Sequence, residues 1–145
     1  MTSQEKKEQL LKYREAEKES ERLEQEIARW YSKAEKMTTI IKMVPGGGDG
    51  GRSIETAIEE IDALAGELAE SRRKAVRLRR SIGAAIEGIN DAKLRQVLRL
   101  KYIDGIKSWE KVAEIMDISS RWVTSLHGKA LVEIDVSSLQ FPHFQ

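Results

Sequence analysis

The chain has 145 residues, 34% of them charged, with 25 Lys and Arg against 24 Asp and Glu and aromatic side chains at only 6%. That length holds one ordinary domain or a small module on a long helical extension and excludes two large cores, while the lack of cysteine excludes disulfides and thiolate metal sites. A net charge of +1 excludes a protein that coats nucleic acid by bulk electrostatics, so any contact with phosphate has to be local.

The first seven residues run straight into charged side chains without the apolar stretch of a secretion signal, and no apolar run reaches the length of a bilayer span. A cytoplasmic protein without membrane contact is therefore expected, its N-terminal turn fraying up to about Gln9. From Tyr13 through Ala16, Leu23, Ile27 and Trp30 to Val44, apolar residues recur at alternating steps of three and four. This is one stripe of a long helix, with Ser20 its only polar position.

Residues 45–52, Pro-Gly-Gly-Gly-Asp-Gly-Gly-Arg, read as a glycine-rich loop, because proline stops the first helix and glycine disfavours another. Ser53 is the expected N-cap of a second long helix, with Glu55 in its first turn. Its stripe runs from Ile54 through Ile61, Leu68, Ser71 and Leu78 to Ile89, widened by Ile58, Ala65 and Ile86. Two helices of similar length with matching seams predict an antiparallel hairpin, a coiled coil over residues 1–89, in which Trp30 and Tyr31 supply the bulkiest packing. An intermolecular coiled coil is the alternative to the hairpin; because a hairpin shields only one face of each helix, a homo-oligomer through residues 10–89 is expected. The basic run Arg72, Arg73, Lys74, Arg77, Arg79 and Arg80 is expected to be solvated or to pair with Glu21, Glu24 or Glu26 on the facing helix.

After Ile89 the pattern predicts three short amphipathic helices in residues 90–134. Asn90 or Asp91 caps the first, with Leu94, Val97, Leu98 and Tyr102 on one face, and Asp104-Gly105 breaks it. Ser108 caps the second, with Val112, Ala113, Ile115 and Met116 inward. Ser119 caps the third, which carries Val123, Leu126, Ala130, Leu131 and Ile134. Residues 135–145 form a non-helical tail. The fold class is all-α: a long helical hairpin followed by a three-helix module.

The last two helices and the turn at Asp117-Ile118 have the dimensions of a helix-turn-helix, in which the second helix enters the major groove. Ala113 is small where the helices approach, Asp117 stands where positive φ is needed, and Ile118 plugs the space between them. Trp122 is read as covering a hydrophobic edge, the alternative being a wedge against a DNA sugar or a partner, and His127 as a packing or surface residue, since no second ligand lies at metal-binding spacing.

Leu94-Arg95-Gln96-Val97-Leu98-Arg99-Leu100-Lys101-Tyr102, then the stretch from Ser108 to Met116, resemble region 4 of bacterial sigma factors. Ile118 to Leu131, ending Leu126-His127-Gly128-Lys129-Ala130-Leu131, is similar to that family's recognition helix. The whole layout resembles small sigma-like regulators of phages and prophages, of the ArpU and RinA late-gene types. The resemblance implies a sequence-specific DNA-binding transcription regulator whose partners are double-stranded DNA and host RNA polymerase. Position by position, it puts Ser120, Arg121 and Ser125 nearest base edges and Thr124 and Lys129 toward phosphates, and Lys111 and Lys107 can add contacts. Residues 1–89 lack the aromatic-rich basic segment of region 2, so action as a complete sigma factor is not expected.

Two other readings stand beside this one: a phage DNA-packaging recognition subunit, and a structural or adaptor coiled coil that has lost DNA binding. An enzyme is not expected, and neither is a cofactor or metal. The glycines of 46–51 lack the flanking strand and lysine of a nucleotide loop, and no His, Asp and Glu stand at metal spacing.

Overall fold

The computed structural model describes residues 1–43, 50–137 and 139, and all of its regular structure is helical. The elements are α1 (Ser3–Leu10), α2 (Lys12–Met43), α3 (Gly50–Glu87), α4 (Ala92–Leu98), a π-helical turn (Arg99–Ile103), α5 (Trp109–Met116) and α6 (Ser120–Glu133). The chain forms two compact units. One is Glu17–Arg73; the other combines Met1–Ala16 with Lys74–Gln145. No described helix is long and apolar enough to cross a membrane.

Glu17–Arg73 is the antiparallel pair that the heptad stripes predict. The hydroxyls of Ser20 and Ser71 lie 2.8 Å apart, and Arg72 pairs with Glu24, which sets the early part of α2 against the late part of α3. Leu23, Ala57 and Leu64 are buried in the seam, with Ile27, Trp30, Ile61 and Leu68 half-buried. Two helices cover only the narrow stripe between them. Ile58 and Ala65, expected to widen the seam, are exposed for that reason, and so is Tyr31, which is 56% exposed instead of packing.

The expected loop is shorter than residues 45–52. Gly50, Gly51 and Arg52 already belong to α3, so Ser53 is not its cap and Glu55 is not in its first turn. Extending a nucleated helix offsets much of glycine's cost of roughly 1 kcal/mol per residue. Val44 and residues 45–49 lie outside the described residues.

The other unit holds the larger core. Leu78, Ile82 and Ile86 of α3 meet Leu94, Val97, Leu98 and Tyr102, together with Leu126, Ala130 and Leu131 of α6. Burying a Leu or Ile side chain contributes about 1.5–3 kcal/mol, so this cluster fixes how α4 and α6 pack on α3. Residues 1–9 do not fray. Thr2 and Glu5 form a reciprocal capping box, Leu10 is fully buried, and Lys6 Nζ donates to the carbonyls of Leu131 at 2.8 Å and Val132 at 3.1 Å. The first helix thus satisfies carbonyls left open at the end of α6.

The tail is also partly docked. Val136 is buried, Leu139 packs against the core, and Asp135 accepts from the Ser137 amide at 2.9 Å and hydroxyl at 2.6 Å. Residues 138 and 140–145 lie outside the described residues.

Candidate nucleic-acid interface

The candidate interface begins with a supporting helix, α4. Asp91 caps α4 by accepting from the amides of Lys93 at 2.8 Å and Leu94 at 3.2 Å. The chain then widens into the π-helical turn, closed by the Asp104 amide on Arg99 O at 2.9 Å, and Gly105 reverses it at φ 71°. A Cβ on Gly105 would meet the Arg14 guanidinium, so its bare backbone admits that side chain.

Ser108 caps α5, accepting from the Lys111 amide at 3.3 Å. The helix ends at Asp117 in the left-handed region, φ 56° and ψ 46°, and the Ile118 amide donates back to Ala113 O at 3.1 Å. This is the positive-φ turn position read from the sequence. Ser119 then caps α6, accepting from the Trp122 amide at 3.1 Å. Val112, Ala113 and Val123 form a small buried core with Leu100, and Ile118 and Met116 pack against it. Ile115, expected inward, is half-exposed, because the short α5 covers only the stripe that faces α6.

Val123, Leu126, His127 and Ala130 take the inner side of α6. Ser120, Arg121, Thr124, Ser125 and Lys129 are all exposed on its outer side. No carboxylate occurs on α6 before Glu133. Among the described residues Arg121 and Lys129 have no ion-pair partner, and the Ser120 and Ser125 hydroxyls make no hydrogen bond. The Thr124 hydroxyl donates to Ser120 O at 3.0 Å, which leaves its oxygen as an acceptor. Gly128 stands among these residues with nothing within 4 Å of where a Cβ would be, so the backbone there can be approached closely. Lys111 belongs to α5 instead and pairs with Glu114 at 3.7 Å. Lys107 is exposed, with its carbonyl accepting from Lys101 Nζ at 2.8 Å.

Trp122 is 45% exposed and does more than cover an edge: Lys93 of α4 sits 4.3 Å above its ring. Sequence reasoning missed Lys93, whose only signal was a cation early in the preceding helix. His127 is a packing residue. It is 7% exposed, with Nε2 at 2.7 Å from the Tyr102 hydroxyl and the Trp109 ring 4.6 Å away. Burial, helped by the charges of Lys7 and Lys101, lowers its pKa to about 4, and burial raises that of Tyr102 to about 12. Lys101 lies 4.5 Å over Trp109 and is itself pushed down by burial and by Lys7. No cluster of three or more metal-ligating side chains occurs among the described residues.

The arrangement offers a helix N-terminus, two unpaired cations and three hydroxyl groups on one open helical face. Such a face can neutralise phosphates and reach base edges. The chain belongs to the family described as protein of unknown function (DUF1492), whose model matches residues 36–135. No curated protein and no solved structure matches the chain.

Proposed function

We propose that this member of the DUF1492 family is a sequence-specific DNA-binding transcription regulator of the sigma-like kind, of phage or prophage origin, that acts on late genes with α6 in the major groove. The observation that carries the reading is the outer face of α6: Ser120, Arg121, Thr124, Ser125 and Lys129 are exposed together behind a left-handed turn at Asp117. Arg121, in the first turn, is the guanine reader; Lys129, two turns on, holds phosphate. Lys93 and Lys111 add charge from α4 and α5. The helical hairpin serves self-association through its unshielded faces or, as the resemblance implies, contact with host RNA polymerase.

The direct test is selection of bound duplex fragments from the source genome by the full chain, followed by titration of the winners at several salt concentrations. Enrichment of a common sequence, with affinity falling steeply as salt rises, is the expected result. Absence of salt-dependent binding would leave an adaptor coiled coil, and enrichment of packaging sites in place of promoters would point to the packaging role.

A further inference from the structure

We infer that a groove between the later part of α3 and the π-helical turn is a docking site for an acidic peptide segment that carries an apolar anchor residue. This inference is independent of the DNA-binding reading. The groove has a volume of about 460 Å³, within the usual range for a side-chain or small-ligand pocket. Its apolar lining comes from Val76, Ile103 and the bare backbone of Gly83, and its charged lining from Arg79, Arg80 and Arg99, with Asp104 the single carboxylate.

Three features single it out. The basic run of α3 does not behave uniformly: Arg72 pairs with Glu24 and Arg73 with Glu70, whereas Arg79 and Arg80 have no ion-pair partner among the described residues. Arg99, held by Glu87, adds a third guanidinium from the π-helical turn. Val76 stays 47% exposed beside them, and a Cβ on Gly83 would meet nothing within 4 Å, so the cavity floor is open and unfilled.

Charge complementarity selects the occupant. With Arg99 held by Glu87, the two guanidinium forks of Arg79 and Arg80 still outnumber the lining carboxylate of Asp104 and favour carboxylates, which arginine binds bidentately. The apolar lining asks for something a phosphate backbone lacks: a Leu, Phe or Trp side chain inserted between the charges. Duplex DNA would engage the arginines and leave that lining against water, so an acidic protein segment fits better.

The test uses the full-length chain to select from a random phage-displayed peptide library. Winners are resynthesised with a fluorophore and titrated by anisotropy against the parent, the double variant Arg79→Glu with Arg80→Glu, and Gly83→Leu. The expected winners combine Asp or Glu with Leu, Phe or Trp, and both variants bind them roughly tenfold or more weakly. Gly83→Leu preserves charge and improves helix propensity, so its loss reports occupation of the groove alone; Gly83→Ala, too short to fill it, binds as the parent does. Failure to enrich acidic-apolar sequences, or binding that survives both variants, overturns the inference. Two further outcomes also overturn it: duplex DNA affinity that falls with Gly83→Leu, which makes the groove a phosphate site, and a homodimer that Gly83→Leu dissolves in sedimentation, which makes a second copy the occupant.

Discussion

The hydroxyl of Tyr102 and Nε2 of His127 lie 2.7 Å apart on the buried side of α6, so the helix that offers its outer face to solvent is anchored inside by a polar pair. The imidazole is neutral when folded, with a pKa of about 4, and becomes easier to protonate once exposed in the unfolded chain. Between those two pKa values the unfolded state binds the extra proton, so stability falls as pH drops from about 6.5 toward 4, by up to about 3 kcal/mol, and is fully present above that window. Denaturant unfolding of His127→Gln, compared with the parent between pH 5 and 7, should lose this dependence. An unchanged slope would remove His127 as its source.

Tyr102→Phe takes away the hydrogen-bond partner and leaves Nε2 buried alone. A cost of about 1–3 kcal/mol in denaturant unfolding at neutral pH is expected. A cost near zero would mean that water replaces the phenol.

Arg121→Ala and Lys129→Ala should differ in kind. The first should lower discrimination at one base position by about 1–3 kcal/mol. The second should weaken binding to all sequences and reduce the salt slope by about one. Competition titrations with matched and mismatched duplexes measure both. Equal loss of discrimination from the two substitutions would contradict the proposed orientation of α6.

Lys6→Met removes the two carbonyl contacts at the end of α6. A loss of about 0.3–1 kcal/mol is expected, with faster amide exchange confined to the last turn of α6 and to α1. Thr2→Ala, which breaks the capping box, should cost a similar amount, about 0.5–2 kcal/mol. Exchange rates unchanged in α6 would show that the two helices are not coupled.

Asp117 occupies the left-handed region, which costs a residue with a Cβ about 1 kcal/mol and a β-branched one more. Asp117→Gly should therefore be neutral or stabilising, and Asp117→Val destabilising by at least about 1 kcal/mol, both read from thermal unfolding. The reverse order would place the strain of the turn elsewhere.

The caps of α4, α5 and α6 and the turn were legible because each is a local decision: Asp91, Ser108 and Ser119 bond amides two or three residues on, and Asp117 is a residue type that tolerates the left-handed region; the cap expected at Ser53 failed because α3 starts earlier, at Gly50. The seams were legible for the same reason, through periodicity. What escaped was set by distant partners. Thr2-x-x-Glu5 signals a capped helix, but nothing in residues 1–10 names the end of α6 as its neighbour. Tyr31, Ile58 and Ile115 are apolar residues whose burial depended on how many elements surround each helix, and a stripe does not count neighbours. On the candidate DNA face, the α6 residues followed from helical phase, while Lys93 required knowing that α4 comes within reach of Trp122.

The 2.8 Å contact between Ser20 and Ser71 works as an index mark along the hairpin. Apolar rungs tolerate exchange for one another, so a pair of heptad seams can slide by whole repeats at small cost. Slid opposite leucine, the buried Ser20 hydroxyl would lose its mate and stay dry, at about 1–3 kcal/mol, while the half-buried Ser71 would lose less. Only one alignment lets both serines meet, so a single polar rung fixes where the two long helices stop relative to each other.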